Sequence, residues 1–236
     1  FGKEFINLFR DLGVNIQSTQ VDKNCSTRII KVCINDEGDR SFAGFVNSQK
    51  IFADEMLDRK VFERSEISLQ TLFKEAKYFI TGTNLLASNK SSEALLFLVE
   101  YASKSGVSIV IDANWREIFW DKFDKSSQIQ KQDHIQKIKK FLLNGDILKL
   151  SNEEAILFFG NNNPLLISQS LSKKPDVIIT NGDKPISWFI NGFQDTTKVL
   201  KSPRIVDTTG AGDSFLAGLI SRFINRKKDF DKDSLI

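Results

Sequence analysis

Residues 206 to 219 read VDTTGAGDSFLAGL, and their types and spacing could hold an anion and move a proton. Gly210 and Gly212 flank Ala211, so the backbone can approach a ligand closely and turn its N–H groups toward one point. Asp213 follows at the start of a helical pattern in which Leu216, Leu219, Ile220 and Phe223 share a face. Its carboxylate belongs beside the orphan N–H groups and the positive dipole end of that helix. A phosphate held by backbone donors, next to a base that can take a proton from a hydroxyl, is the minimum equipment for phosphoryl transfer to an alcohol. The bare GxGD equally fits a tight turn followed by an acid that only complements a helix start. The dinucleotide fingerprint GxGxxG needs glycine where Phe215 stands, and no GxxxxGK[ST] occurs, so neither a Rossmann cofactor site nor a Walker P-loop is indicated.

The longer string DTTGAGDSFLAGL resembles, nearly letter for letter, the second signature of the PfkB family of ribokinase-like carbohydrate kinases. IDANWREIFW, residues 111 to 120, resembles the family's DPNxR stretch in its fructokinase-like form, and GDRSF, residues 38 to 42, resembles its GERSF segment. KLSNEEAILFFG, residues 149 to 160, resembles its NxxE region: counting back from Gly160 sets Ser151 at the family's asparagine and Glu154 at its glutamate. Choosing Asn152 for the asparagine would leave Ala155 at the acidic position. Ile179 to Gly182 resembles its VTxG.

The resemblance implies an ATP- and magnesium-dependent sugar kinase, most like a fructokinase. Other family substrates (ribose, adenosine, 2-keto-3-deoxygluconate) and a non-catalytic sugar or nucleotide binder are the alternatives. It makes Asp213 the base, with the N–H groups around Gly210, Ala211 and Gly212 stabilising charge on the transferring phosphoryl. Thr180, Gly182, Thr209 and the same glycines would lie along the nucleotide. Asp112 and Asn114 would face the sugar. Arg116 offers a planar fork that suits phosphate oxygens or, equally, a structural carboxylate. Glu154 would organise magnesium through its waters, as suits a hard hydrated cation, while Glu153 and Glu154 also read as first-turn acids of a helix. Asp207 to Thr209 resemble a monovalent-cation loop, which brings in potassium at Asp207 as a candidate activator.

The elements that must position these groups follow from periodicity. YFIT (78–81), VSIVI (107–111), DILKL (146–150) and DVIIT (176–180) are short, near-continuous apolar runs, as expected of parallel strands covered on both faces. Helical stripes fill the gaps: Leu95, Leu98, Val99 and Ala102 before Gly106, then Ile135, Ile138 and Leu142 before Gly145. Strand–helix alternation of this kind gives a right-handed, mostly parallel α/β sheet in three layers. Polar clusters follow each strand run: Gly82 to Asn84; Asp112, Asn114 and Arg116; Ser151 to Glu154; Asn181 to Asp183; and DTTGAGD after Val206. In an open parallel sheet, ligands bind beyond the carboxyl ends of the strands, so these loops predict one shared site.

Ahead of the sheet, Phe5, Leu8, Phe9 and Leu12 recur at helical spacing before Gly13. TRIIKVCI and RSFAGFV, joined by NDEGD, read as a hairpin. Residues 15–47 are therefore read as a small β lid, and 1–14 with 48–236 as the α/β core. Arg28 and Arg40 in the lid could reach a sugar, but solvated strand charges are the commoner outcome. Trp115 and Trp120 read as core or wall, and His134 as solvent-facing. Phe1 is no initiator and Ile236 follows soon after the key helix, so further strands are expected at both ends.

Composition narrows the partners. Lys and Arg total 33 against 30 Asp and Glu, so no strong field recruits nucleic acid or an acidic membrane, and a small phosphorylated ligand fits better. Cys25 and Cys33 are too few and too close for a disulfide framework and read as buried thiols of a reduced, cytoplasmic protein. No apolar run is long enough to span a bilayer, and nothing at the N-terminus reads as a signal peptide. The partners expected are ATP and a sugar, with the resemblance allowing a homodimer through the lid.

Overall fold

The computed structural model describes residues 2–34, 40–46, 51–120, 128–200 and 208–225. Along the chain come α1 (Gly2–Asp11), β1 (Ile30–Ile34), β2 (Arg40–Phe45), α2 (Arg59–Arg64), α3 (Glu66–Glu75), β3 (Tyr78–Gly82) and α4 (Asn89–Lys104). They are followed by β4 (Ser108–Asp112), α5 (Gln128–Leu142), β5 (Ile147–Ser151), α6 (Asn152–Phe159) and α7 (Pro164–Ser170). The last are β6 (Asp176–Asn181), β7 (Lys184–Ile190), β8 (Phe193–Thr197) and α8 (Ala211–Asn225). Contacts divide the chain into two compact units: residues 1–76, 84–107 and 116–134, and residues 77–83, 108–115 and 135–236.

The second unit is built on a six-stranded sheet of order β3-β4-β5-β6-β7-β8. β3 to β6 are parallel and correspond to the four apolar runs; β7 and β8 add antiparallel strands. The sheet is thus parallel where the polar loops lie and antiparallel at one edge, a meander that periodicity did not announce. Its turn is Asn191–Gly192, both with positive φ (51° and 85°), as a two-residue hairpin turn requires.

Side chains alternate across the pleat. Val110, Ile147, Ile178, Trp188 and Ile190 take one face with Leu216 and Ile220 of α8 in a single apolar cluster. Burying each such side chain contributes about 1.5–3 kcal/mol. The alternating residues Ile109, Ile111, Leu148, Leu150, Val177 and Ile179 are equally buried, so the sheet is covered on both sides. Local signals set the helix ends. Ser151 and Glu154 form a reciprocal capping box on α6, Gly160 ends it with φ of 73°, and Asn163 caps α7 with Pro164 in its first turn.

The first unit holds α1 to α4 and the antiparallel pair β1-β2. The two strands agree with the hairpin reading; the NDEGD turn lies outside the described residues. α1 forms as expected, but its stripe is exposed, with Phe5 at 54% and Leu12 at 69%, so helical spacing here does not mark a core face. Arg28 differs from expectation: its side chain is buried, not solvated. His134 is half-buried against Trp120, ring centroids 4.8 Å apart, rather than facing solvent. Trp115, in the second unit, packs edge-on against Phe158.

Candidate active site

The parallel strands deliver their polar residues to one sheet edge. Gly82 pairs in register with Asp112, Asp112 with Lys149, and Ser151 with Thr180, so β3 to β6 end together. Asp112, at the end of β4, is 6% exposed and Lys149, on β5, 7%. Lys149 Nζ donates to both Asp112 carboxylate oxygens at 3.1 Å. Burial pushes the Asp112 carboxyl above the ordinary range; the Lys149 charge opposes that shift, and the nearby Asp213 charge adds to it. Asn114 carries an unusual φ of 40°, and its backbone N–H hydrogen-bonds to the Asp112 carboxylate.

α8 starts where the glycine turn ends. Gly210 has φ of 78°, the left-handed region that favours glycine, and Ala211 N–H reaches back to Thr208 C=O at 3.2 Å. Asp213 stands exposed in the first helical turn. A Cβ on Gly212 would sit 3.0 Å from Lys149 Nζ, so the buried ammonium reaches the backbone of the turn itself. Glycine at 212 is what lets that close approach occur. The result is a cation and a helix N-terminus beside an exposed carboxylate, an arrangement suited to an anion that must meet a base.

Glu154 is 7% exposed. One carboxylate oxygen accepts the Trp115 N–H at 2.6 Å, the other the Ser151 N–H at 2.7 Å, and Ser151 Oγ accepts the Glu154 N–H at 3.2 Å. The helix-start role of Glu154 is therefore realised. Burial raises its carboxyl, the neighbouring Asp112 charge reinforces that shift, and Lys149 and the two N–H donors work against it. Each oxygen keeps a second lone pair, so these residues fit a hydrated magnesium ion held through water better than one bound directly. Among the described residues no cluster of three or more His, Cys, Asp or Glu gathers to ligate a metal.

Thr180 and Gly182 close β6: Thr180 Oγ1 donates to Leu150 C=O at 3.3 Å, and Gly182 turns the chain with φ of 58°. Thr209 is exposed just ahead of the glycine turn. Arg116 belongs to the first unit, where it opens a short 3-10 turn over Glu117–Phe119. Asp207 lies outside the described residues. The second unit holds Asp112, Asn114, Glu154, Thr180, Gly182, Thr209 and residues 210–213, and within it the charges of Asp112, Lys149, Glu154 and Asp213 lie close enough to act on one another. It adds Lys149, which sequence reading passed over. Its signal was a lysine inside an otherwise apolar central strand.

The fold is shared with a solved structure, a fructokinase with bound ATP from Xylella fastidiosa, which superposes with a TM-score of 0.80 at 20% identity over all of this chain and 71% of that one. The sequence profile of the pfkB family of carbohydrate kinases matches residues 1–232, and the chain belongs to that family. Among curated relatives, probable fructokinase-6, chloroplastic, of Arabidopsis thaliana is 28% identical over 229 residues, and fructokinase-2 of Zea mays 28% over 232. The alignments take in 95% and 97% of this chain but only 55% and 63% of those relatives' lengths.

Proposed function

We propose that this chain carries the phosphoryl-transfer centre of an ATP-dependent sugar kinase, with fructose as acceptor and fructose 6-phosphate and ADP as products. The observation that carries the reading is Asp213 in the first turn of α8, directly after the left-handed Gly210 and beside the buried Lys149–Asp112 pair. The fructokinase names of the curated relatives favour fructose.

Asp213 takes the proton from a primary hydroxyl as its oxygen attacks the γ-phosphorus. The bond to the β-phosphate oxygen breaks, and ADP leaves with that electron pair. In this reading the N–H groups of residues 210–212 and the Lys149 ammonium face the equatorial oxygens as these gain charge, and so stabilise the transition state more than the ground state. Asp112 and Asn114 position the sugar, with Arg116 assigned to sugar or phosphate. Thr180, Gly182 and Thr209 line the nucleotide. Magnesium, when bound, neutralises phosphate charge; Glu154 would hold its water shell, and Asp207 would be the residue for an activating potassium ion.

Phosphoryl transfer of this kind depends on positioning and electrostatics, so losing the base costs orders of magnitude in rate. Asp213→Asn is expected to abolish ADP production while leaving ATP affinity, read by calorimetry, close to the parent's. Turnover within about tenfold of the parent would overturn the assignment. A panel of fructose, ribose, adenosine and 2-keto-3-deoxygluconate decides the acceptor. Cys25 is half-buried and Cys33 exposed, not buried as expected, yet both are free thiols, which suits a reducing, cytoplasmic location; no described helix is long and apolar enough to cross a membrane.

A further inference from the structure

Asn114, in the loop after β4, has φ of 40°, and a residue other than glycine stays in the left-handed region only where its surroundings over-determine it. Two buried carboxylates from different elements do so here. The Asn114 N–H hydrogen-bonds to Asp112 on β4, and the N–H of the next residue, Trp115, donates to Glu154 on α6 at 2.6 Å. Asp112 and Glu154 are both buried, so water competes little for either bond. A capping box asks its third helical residue for one acceptor, and the Ser151 N–H takes that one Glu154 oxygen at 2.7 Å. The other oxygen, on Trp115, is what the helix start alone does not explain. The Trp115 ring makes an independent tie to the same helix. It meets Phe158 edge-on, ring centroids 6.3 Å apart, and Phe158 stands one turn after Glu154 on the same face of α6. Trp115 is thus held twice by α6, through its backbone and through its ring.

Rotation about φ redirects the Cα–Cβ bond, so releasing Trp115 re-aims the Asn114 side chain although that side chain makes neither bond. We propose that Glu154 is a positioning residue for the sugar: its carboxylate, helped by Phe158, locks the loop after β4 onto α6 and keeps Asn114 in the conformation that presents it to the acceptor. The inference rests on the reading that gives Asn114 to the sugar, and it assigns Glu154 a task that needs no metal ion. A carboxylate that only orders the water shell of magnesium has no use for Trp115, and its loss leaves sugar affinity untouched when no metal is present. A carboxylate that locks the loop acts on sugar binding before nucleotide or metal arrives, because the loop is then ordered in advance.

Two variants of the whole chain test it. Glu154→Ala deletes both acceptors while Ser151 Oγ can still accept the N–H of residue 154, and Phe158→Leu, at a fully buried apolar position, loosens only the ring tie. In the ligand-free protein, hydrogen exchange at the amides of 114 and 115 is expected to quicken about tenfold in Glu154→Ala and less in Phe158→Leu, with residues 147–150 of β5 unchanged. Titration calorimetry with fructose, in chelator and without nucleotide, should show affinity about fivefold weaker in both variants. Exchange at 114 and 115 as slow in folded Glu154→Ala as in the parent would overturn the lock, and so would fructose affinity unchanged in both folded variants. Should Glu154→Ala fail to fold, Phe158→Leu carries both measurements. A parent that binds no fructose would sink the acceptor assignment instead, and the exchange rates then decide the lock by themselves.

Discussion

At the scale of single residues, the Lys149–Asp112 pair decides how the sheet edge is charged. Both side chains are over nine-tenths buried and joined at 3.1 Å. Pairs of this kind add little over an apolar replacement, but removing one partner strands a charge in the interior, at a cost of about 3–5 kcal/mol. Lys149→Met is therefore expected to lower the urea-unfolding free energy by about that amount, with most of it recovered when Asp112→Leu is added. A double variant as unstable as the single one would show that the stranded carboxylate is not the cause. Asp213 and its glycines were legible from the sequence because the turn needs left-handed backbone and the helix start favours an acid. Lys149 was not: in DILKL it passes as one polar letter in an apolar run, and only the register beside Asp112 gives it a partner. Arg28 escaped for a related reason, since its burial depends on Asp54, Glu55 and three rings distant in sequence.

At the scale of elements, β3 to β6 were readable because strands buried on both faces are nearly continuous apolar runs. β7 and β8 were not read, although Asn191–Gly192 between ISWFI and FQDTT is the usual hairpin signal; the polar second strand masked it. Asp176, which opens β6, fastens that hairpin by accepting the Asn191 N–H at 2.8 Å. Burial raises the Asp176 carboxyl above its ordinary value, and the Asn191 hydrogen bond only partly offsets this. A raised folded-state pKa means stability fully present below the unfolded value, about 3.9, and lost as pH rises through the folded one. Asp176→Asn keeps an oxygen for the Asn191 N–H and has no charge to desolvate. Its Tm should therefore gain on the parent's as pH goes from about 4 to 7. A difference that stays flat over that range would show that the carboxylate is not held protonated by the fold.

Across the whole molecule, contacts divide the chain into two compact units. The second holds the ends of β3 to β6 and the N-terminus of α8, and the first holds a cavity lined in part by Arg28, Asp54 and Glu55. Sequence alone gave the common sheet edge, because each parallel run is followed by a polar cluster. It did not give the cavity, whose lining is drawn from segments far apart in the chain, from Arg28 to Trp120. A ligand that binds only the folded state stabilises it by mass action, about 2.7 kcal/mol at a hundredfold excess over its Kd. That stabilisation is read first by the amides it touches, which open less often. Hydrogen exchange with magnesium and ATP should therefore slow most in residues 149–154, 180–182 and 208–216, all in the second unit. Nucleotide protection that leaves 208–216 unchanged would remove ATP from the glycine turn, because those N–H groups are the donors the reading requires.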